Sequence, residues 1–114
     1  MPQRLPKQLC AGAQLTASAA PYYTVPDNTI TTISACSLTN STATARTVTM
    51  HLVPKGGSVS ASNMILSERT VAPGETYNVA SAIGQTIPAG ASIQALADVA
   101  AAITLVASGY ETNP

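Results

Sequence analysis

Arg46-Thr47-Val48-Thr49-Met50-His51-Leu52-Val53 carries the clearest periodicity in the chain. Val48, Met50 and Leu52 alternate with Thr47, Thr49 and His51. A period of two places alternate side chains on opposite faces of an extended strand. The stretch predicts a strand with Val48, Met50 and Leu52 toward the core. His51 and the threonines face the other way, as a surface or interface face. Pro54-Lys55-Gly56-Gly57 then ends the strand, because proline cannot donate to a ladder and glycine supplies the positive φ of a turn.

The same grammar recurs on both sides at intervals of about ten residues, the spacing of a sandwich or barrel. Upstream, Gln8 to Leu15 reads as a weak strand and Tyr22 to Val25 as a short extended piece between Pro21 and Pro26. Thr29 to Thr39 is a strong strand. Ile33, Ala35 and then Leu38 on its apolar face imply a bulge or phase shift. Asn40-Ser41-Thr42 is turn chemistry. Downstream, Asn63 to Val71 forms a strand with Met64, Leu66 and Ile65 partly buried. Ala72-Pro73-Gly74-Glu75 fits a type II turn, and Thr76 to Val79 a short strand. Pro88-Ala89-Gly90 reads as a hairpin turn. Ser92 to Asp98 alternates Ile93, Ala95 and Ala97, and Ala101 to Tyr110 alternates Ile103, Leu105 and Ala107. These last two strands are expected to form a hairpin around Val99 and Ala100. Ala89 to Ala102 is rich in alanine, the best helix former, and Ile93, Leu96 and Ala100 fit a helical spacing. The flanking turn and the period of two favour strand.

The fold class that follows is all-β: a two-sheet antiparallel β-sandwich of seven or eight strands, jelly-roll or immunoglobulin-like, with an extended N-terminal arm. Residues 1–7, with Pro2 and Pro6, form the arm, and residues 8–114 form one sandwich domain. Deleting the arm is expected to leave the fold intact and to weaken assembly. A chain of 114 residues supports one core.

Composition narrows the function. Charged residues make up 9% of the chain and the formal net charge is zero, against about 25% charged residues in an ordinary soluble domain. Serine and threonine replace the missing charge. Low net charge favours association, which suits a subunit of an assembly. Arg4, Lys7, Arg46, Lys55 and Arg69 are scattered, so counterion release from nucleic acid has no basic stripe to run on. No h-region follows Arg4 and Lys7, and the longest apolar run, Val99 to Ile103, is too short to span a bilayer. The expectation is a protein made in a cytoplasm, with no membrane partner.

Catalytic and metal-binding patterns are not found. His51 is the lone histidine and has no ligand at metal spacing. Asp27, Glu68, Glu75, Asp98 and Glu111 fall in separate turns and strands. Gly56-Gly57 lacks the continuation of a phosphate loop. Cys10 and Cys36 could pair if their strands are neighbours, but small buried thiols acting as apolar filler are the simpler reading. Asn40-Ser41-Thr42 matches a glycosylation sequon by coincidence of a hydroxyl-rich chain. Candidate partner contacts are therefore Arg4 and Lys7 in the arm, Tyr22 and Tyr23 between their prolines, and His51. For the tyrosine pair, one ring at the core rim with the other exposed is an equal alternative. No catalytic residue, metal, cofactor or small-molecule ligand is expected.

The order of Tyr22-Tyr23-Thr24-Val25-Pro26, Leu38-Thr39-Asn40-Ser41-Thr42, the strand ending Leu52-Val53-Pro54, Pro73-Gly74-Glu75, Ala89-Gly90-Ala91-Ser92-Ile93 and Ser108-Gly109-Tyr110-Glu111 resembles small virion structural proteins of tailed bacteriophages. It covers nearly the whole chain, Leu9 to Thr112. The resemblance implies a capsid decoration, or cement, protein bound to the phage major capsid protein on the virion exterior, commonly as a trimer. A small tail, collar or baseplate component is the alternative within the same resemblance. A carbohydrate- or host-surface-binding module, using Tyr22-Tyr23 with Asp27 and Asn28, is the alternative outside it.

Overall fold

A computed structural model describes residues 3–113. Nine strands are formed among them: β1 (Gln3–Gln14), β2 (Ala20–Thr24), β3 (Ile30–Asn40), β4 (Arg46–Val53), β5 (Met64–Val71), β6 (Thr76–Asn78), β7 (Thr86–Ile87), β8 (Ser92–Ala97) and β9 (Ile103–Asn113). One 3₁₀ turn, Ala61–Asn63, precedes β5. β4 begins and ends where its alternation does.

The strands form two antiparallel sheets. One runs β1-β9-β3-β6, with β7 also on β3, and the other runs β2-β8-β4-β5. β6 and β7 lie along successive parts of β3. Between them Val79 donates to Cys36 O and Gly84 donates to Ile33 O, so the pair is one strand interrupted opposite a bulge in β3. Counted that way, the first strand pairs with the last, the second with the penultimate, the third with the β6–β7 strand, and β4 with β5. This is a chain folded once on itself and rolled up. It is the two-Greek-key jelly roll, and it settles the choice against the immunoglobulin-like order.

Leu15, Ile33, Leu38, Val48, Met50, Ile93, Ile103 and Leu105 are fully buried between the sheets. With no Phe or Trp in the chain, alanines complete this layer; Ala82, Ala95, Ala97, Ala102 and Ala107 are all buried. Ile93, Ala95 and Ala97 point inward as the alternation requires, and residues 92–97 are strand, not helix. The bulge expected in β3 falls between Ile33 and Ala35. It brings Cys36, not Ala35, onto the inner face; Ala35 is exposed. Ile65 and Leu66 are half-buried as expected, whereas Met64 is exposed.

Three expectations are corrected. β8 and β9 belong to different sheets and form no hairpin. Asp98 N still bonds Thr47 O in one sheet, while Ala101 N bonds Leu15 O in the other. The left-handed Ala101 (φ 61°) turns the chain across the sandwich. The Pro88–Gly90 turn likewise joins the sheets instead of making a hairpin: Ala91 N closes it on Pro88 O, with Gly90 at φ 83°. Finally, the described part of the expected arm, residues 3–7, is strand β1 laid against residues 109–113 of β9. Residues 1 and 2 lie outside the described residues.

Candidate functional site

Bulges on both sides of β9 meet at Ser108, next to Gly109. β1 shifts register between Gln8 and Cys10, and β3 between Ile33 and Ala35. Gly109 has no room for a side chain, since a Cβ there would run into the Thr32 carbonyl oxygen. Pro6, Gln8, Ser34, Ser108 and Tyr110 border an open notch of about 320 Å³ at this point.

Arg4, Lys7 and Tyr23 come together at this end of the molecule, on different faces. Arg4 lies on the outer face with its guanidinium 4.1 Å from the Tyr110 ring centroid. Lys7 turns inward, where its Nζ meets Glu111 Oε2 at 3.2 Å. The Tyr23 hydroxyl donates to the same Glu111 oxygen at 2.5 Å and lies 2.7 Å from Thr31 Oγ1. Tyr23 is 9% exposed. It is thus a tie between the sheets, with its polar tip satisfied. Tyr22 is half-buried, its hydroxyl accepting from Thr16 N at 3.3 Å. The two adjacent rings therefore form no exposed platform.

The Tyr23 donor, and then Lys7, hold the Glu111 carboxyl below its usual range. Burial first, then the Glu111 carboxylate, pushes Tyr23 up to about 12. The signs are opposite in consequence. Glu111 contributes stability above its unfolded value of 4.5 that is lost as pH falls below it. Tyr23 contributes stability below pH 10 that is lost as pH rises toward about 12. Urea midpoints should form a plateau between roughly pH 5 and 10 with a decline on each side. Tyr23→Phe should lower the plateau by about 1–2 kcal/mol and remove this tyrosine's share of the alkaline decline.

His51 is not a surface residue. It is 4% exposed, because the segment after β4 folds back over the outer face of its sheet. Nδ1 lies 2.8 Å from Asn63 Oδ1 and 3.1 Å from Ser60 O. Both partners are acceptors, since Ser60 N donates to the same Asn63 oxygen at 3.1 Å, so Nδ1 carries the proton. Asn63 Nδ2 extends the clasp to Ser58 O at 2.9 Å. His51→Ala should cost about 1–3 kcal/mol and speed amide exchange across residues 58–63 without altering the core amides. The pattern Ser60-x-x-Asn63 was the sequence signal that a local turn stood there.

Both donors and both acceptor sites of the Asn40 amide are satisfied. Its Nδ2 donates to Thr44 O (2.8 Å) and Val71 O (2.9 Å). Its Oδ1 accepts from Thr42 N (2.9 Å) and Thr42 Oγ1 (2.7 Å). At 0% exposure the amide cannot receive a glycan in the folded protein, whatever the sequon. Cys10 and Cys36 are both buried and unpaired. Each sits opposite Ala107, on either side of β9. Two strand spacings, about 9–10 Å, exceed the roughly 7 Å Cα limit of a disulfide. Burial, and then Cys10, push the Cys36 thiol up to about 12, so it is inert filler. Among the described residues no three of His, Cys, Asp or Glu are grouped as a metal site.

No protein-family model and no curated protein matches the chain. Solved structures do match its fold. One is a chain in the structure of infectious bursal disease virus, Gx strain, at TM-score 0.56 and 9% identity, covering 99% of this chain and 33% of that one. Another is in the crystal structure of the T13 particle of the same virus, at TM-score 0.54 and 9% identity, covering 98% and 31%. The chain spans about a third of the length of the chains it matches. At this identity the likeness shows the shared jelly-roll fold.

Proposed function

We propose that this chain is a non-catalytic structural protein of a virus particle. The observation that carries the reading is the rolled-up fold, which aligns over 99% of this chain with a chain in the structure of a virus. Jelly rolls also serve in lectins and cupins. The lectin-like alternative loses its tyrosine platform, because the Tyr23 ring is buried. Low charge supports packing among subunits.

The sequence resemblance to tailed-phage virion proteins supports a finer assignment: a decoration protein on the capsid exterior that binds the major capsid protein and stabilises the shell. A tail, collar or baseplate position is the second reading from the same resemblance. Trimers at three-fold points belong to the decoration reading and would require a head-to-tail contact. Quantitative mass spectrometry of purified particles tests the assignment. On the order of hundreds of copies is expected for a shell protein. A few to tens of copies would transfer the chain to the tail or collar. Its absence from the particle would overturn the virion reading.

A further inference from the structure

Each of the four sheet edges is blunted. β1 carries Pro6, two register shifts and Gly12 at φ 112°. β2 carries Pro21 and a register shift beside it. β5 is broken by two shifts, with Glu68 at φ 44° and the charged Arg69 next to it. β6 and β7 are three and two residues long. These are the devices that prevent edge-to-edge strand addition. Association by extending a sheet is thereby disfavoured.

The two outer faces differ. On the β2-β8-β4-β5 sheet, Thr49, His51, Val53 and Ser92 are buried although they point away from the core; the segment after β4 is clasped against His51, and Glu68 N of β5 bonds Thr49 Oγ1. On the other sheet no segment is clasped over the outward Ser37, Thr39, Thr104, Val106 and Ser108 among the described residues. Val106 is 36% exposed and the other four are half-buried. No Asp, Glu or Lys stands at the outward register positions of β1, β9 and β3. Arg4 is the sole charge, at one end, spread on Tyr110.

We infer that this face is an interface, and that its occupant is the same face of a second copy related by a two-fold axis. A charged partner would lose hydration there with no counter-charge to meet it. Hydroxyls both donate and accept, so a serine and threonine face is complementary to itself; Thr39 and Thr76 already bond within it at 3.0 Å. An axis near Val106 puts the two Arg4 side chains at opposite ends of the contact. The face of β1, β9, β3 and β6 offers roughly 500–700 Å² per copy from strand length and spacing, enough for a modest but specific interface. Two stacked sheets close at two copies, so this contact is separate from any three-fold one. The inference rests on the surface alone and does not depend on the virion reading.

Sedimentation velocity on the full chain from about 1 µM to 1 mM tests it. The wild type should form a reversible dimer. Val106→Glu places two like charges across the axis and should weaken the dimer by about tenfold or more. Val59→Glu, in the segment over the opposite sheet, should leave it unchanged. Circular dichroism checks folding, and Ser37→Glu repeats the test on the neighbouring strand should Val106→Glu not fold. A wild-type monomer at the highest concentration, or a dimer indifferent to both face variants, or one weakened equally by Val59→Glu, overturns the inference.

Discussion

Asn40→Ala is expected to destabilise the protein by about 3–4 kcal/mol, read as a fall in the urea midpoint at constant slope. Side chain and backbone together tie two stretches, residues 40–44 and 71–75, that lie about thirty residues apart in the chain. Asn40 is the last residue of β3, its amide bonds the end of β5 through Val71 O, and it gathers the 41–45 turn through Thr42 and Thr44. Its backbone closes the 72–75 turn, with Gly74 N donating to Asn40 O and Asn40 N donating to Glu75 O. Alanine would leave Val71 O and Thr44 O without these donors and Thr42 N without its acceptor. Each unpaired buried group costs about 1–3 kcal/mol, and part of that is recovered as the exposed turn admits water. Asn40→Asp should be no gentler. It keeps the bonds from Thr42 but aims a carboxylate at two carbonyl oxygens. Equal midpoints for wild type and Asn40→Ala would mean that the network is not holding the two sheets in register.

Gly109→Ala should cost about 3 kcal/mol or more, the upper end of overpacking effects. The position does not need glycine's left-handed freedom. It needs the missing Cβ, because β3 crosses so close that the Thr32 carbonyl occupies the space and Ile33 Cα stands 3.1 Å away. Both are backbone atoms of a strand held on its two sides by β9 and by β7, so neither can swing aside. Accommodation would have to open the β3–β9 ladder at its bulge. Gly56→Ala is the contrast. Space around its Cβ is open, and φ is 75°, so the cost should be only the left-handed penalty of about 1 kcal/mol. Similar losses at the two positions would contradict the close approach.

These two residues also show what the sequence could and could not reveal. β4 and β8 were legible because each strand keeps one face in the core for its whole length, so its alternation is undisturbed. The Ala72–Glu75 turn was legible because Pro73 and Gly74 encode it locally, and Gly74 sits at φ 72° as expected. The sheet to which a strand belongs was not encoded locally. Residues 98–102 signal a turn, but whether that turn makes a hairpin or crosses the sandwich depends on Leu15, more than eighty residues away. The stretch around Pro6 reads as an arm because the partner strand of residues 3–7 is the far end of the chain. His51 read as outward, and it does point away from the core. Period two reports the face of a strand and is silent about what covers that face. Lys7 meets Glu111 through the first-with-last pairing, and Thr31 and Tyr23 reach it through the β3–β9 pairing and the stacking of the two sheets, so no spacing could have joined them. Arg4, Lys7, Tyr22, Tyr23 and His51 each stand out in the sequence singly, by charge or by ring. Beyond Arg4 and Tyr110 at one end, the outer face of β1, β9 and β3 has neither property, and its distinction is visible only once the sheets are built.

In the proposed function the chain is a repeated structural component of a virus particle. The most direct test is a cryo-electron map of the purified particle with this chain traced in it. Density for the two-sheet roll is expected in many symmetry-related copies on the outer shell. A particle whose complete density contains no such roll would contradict it.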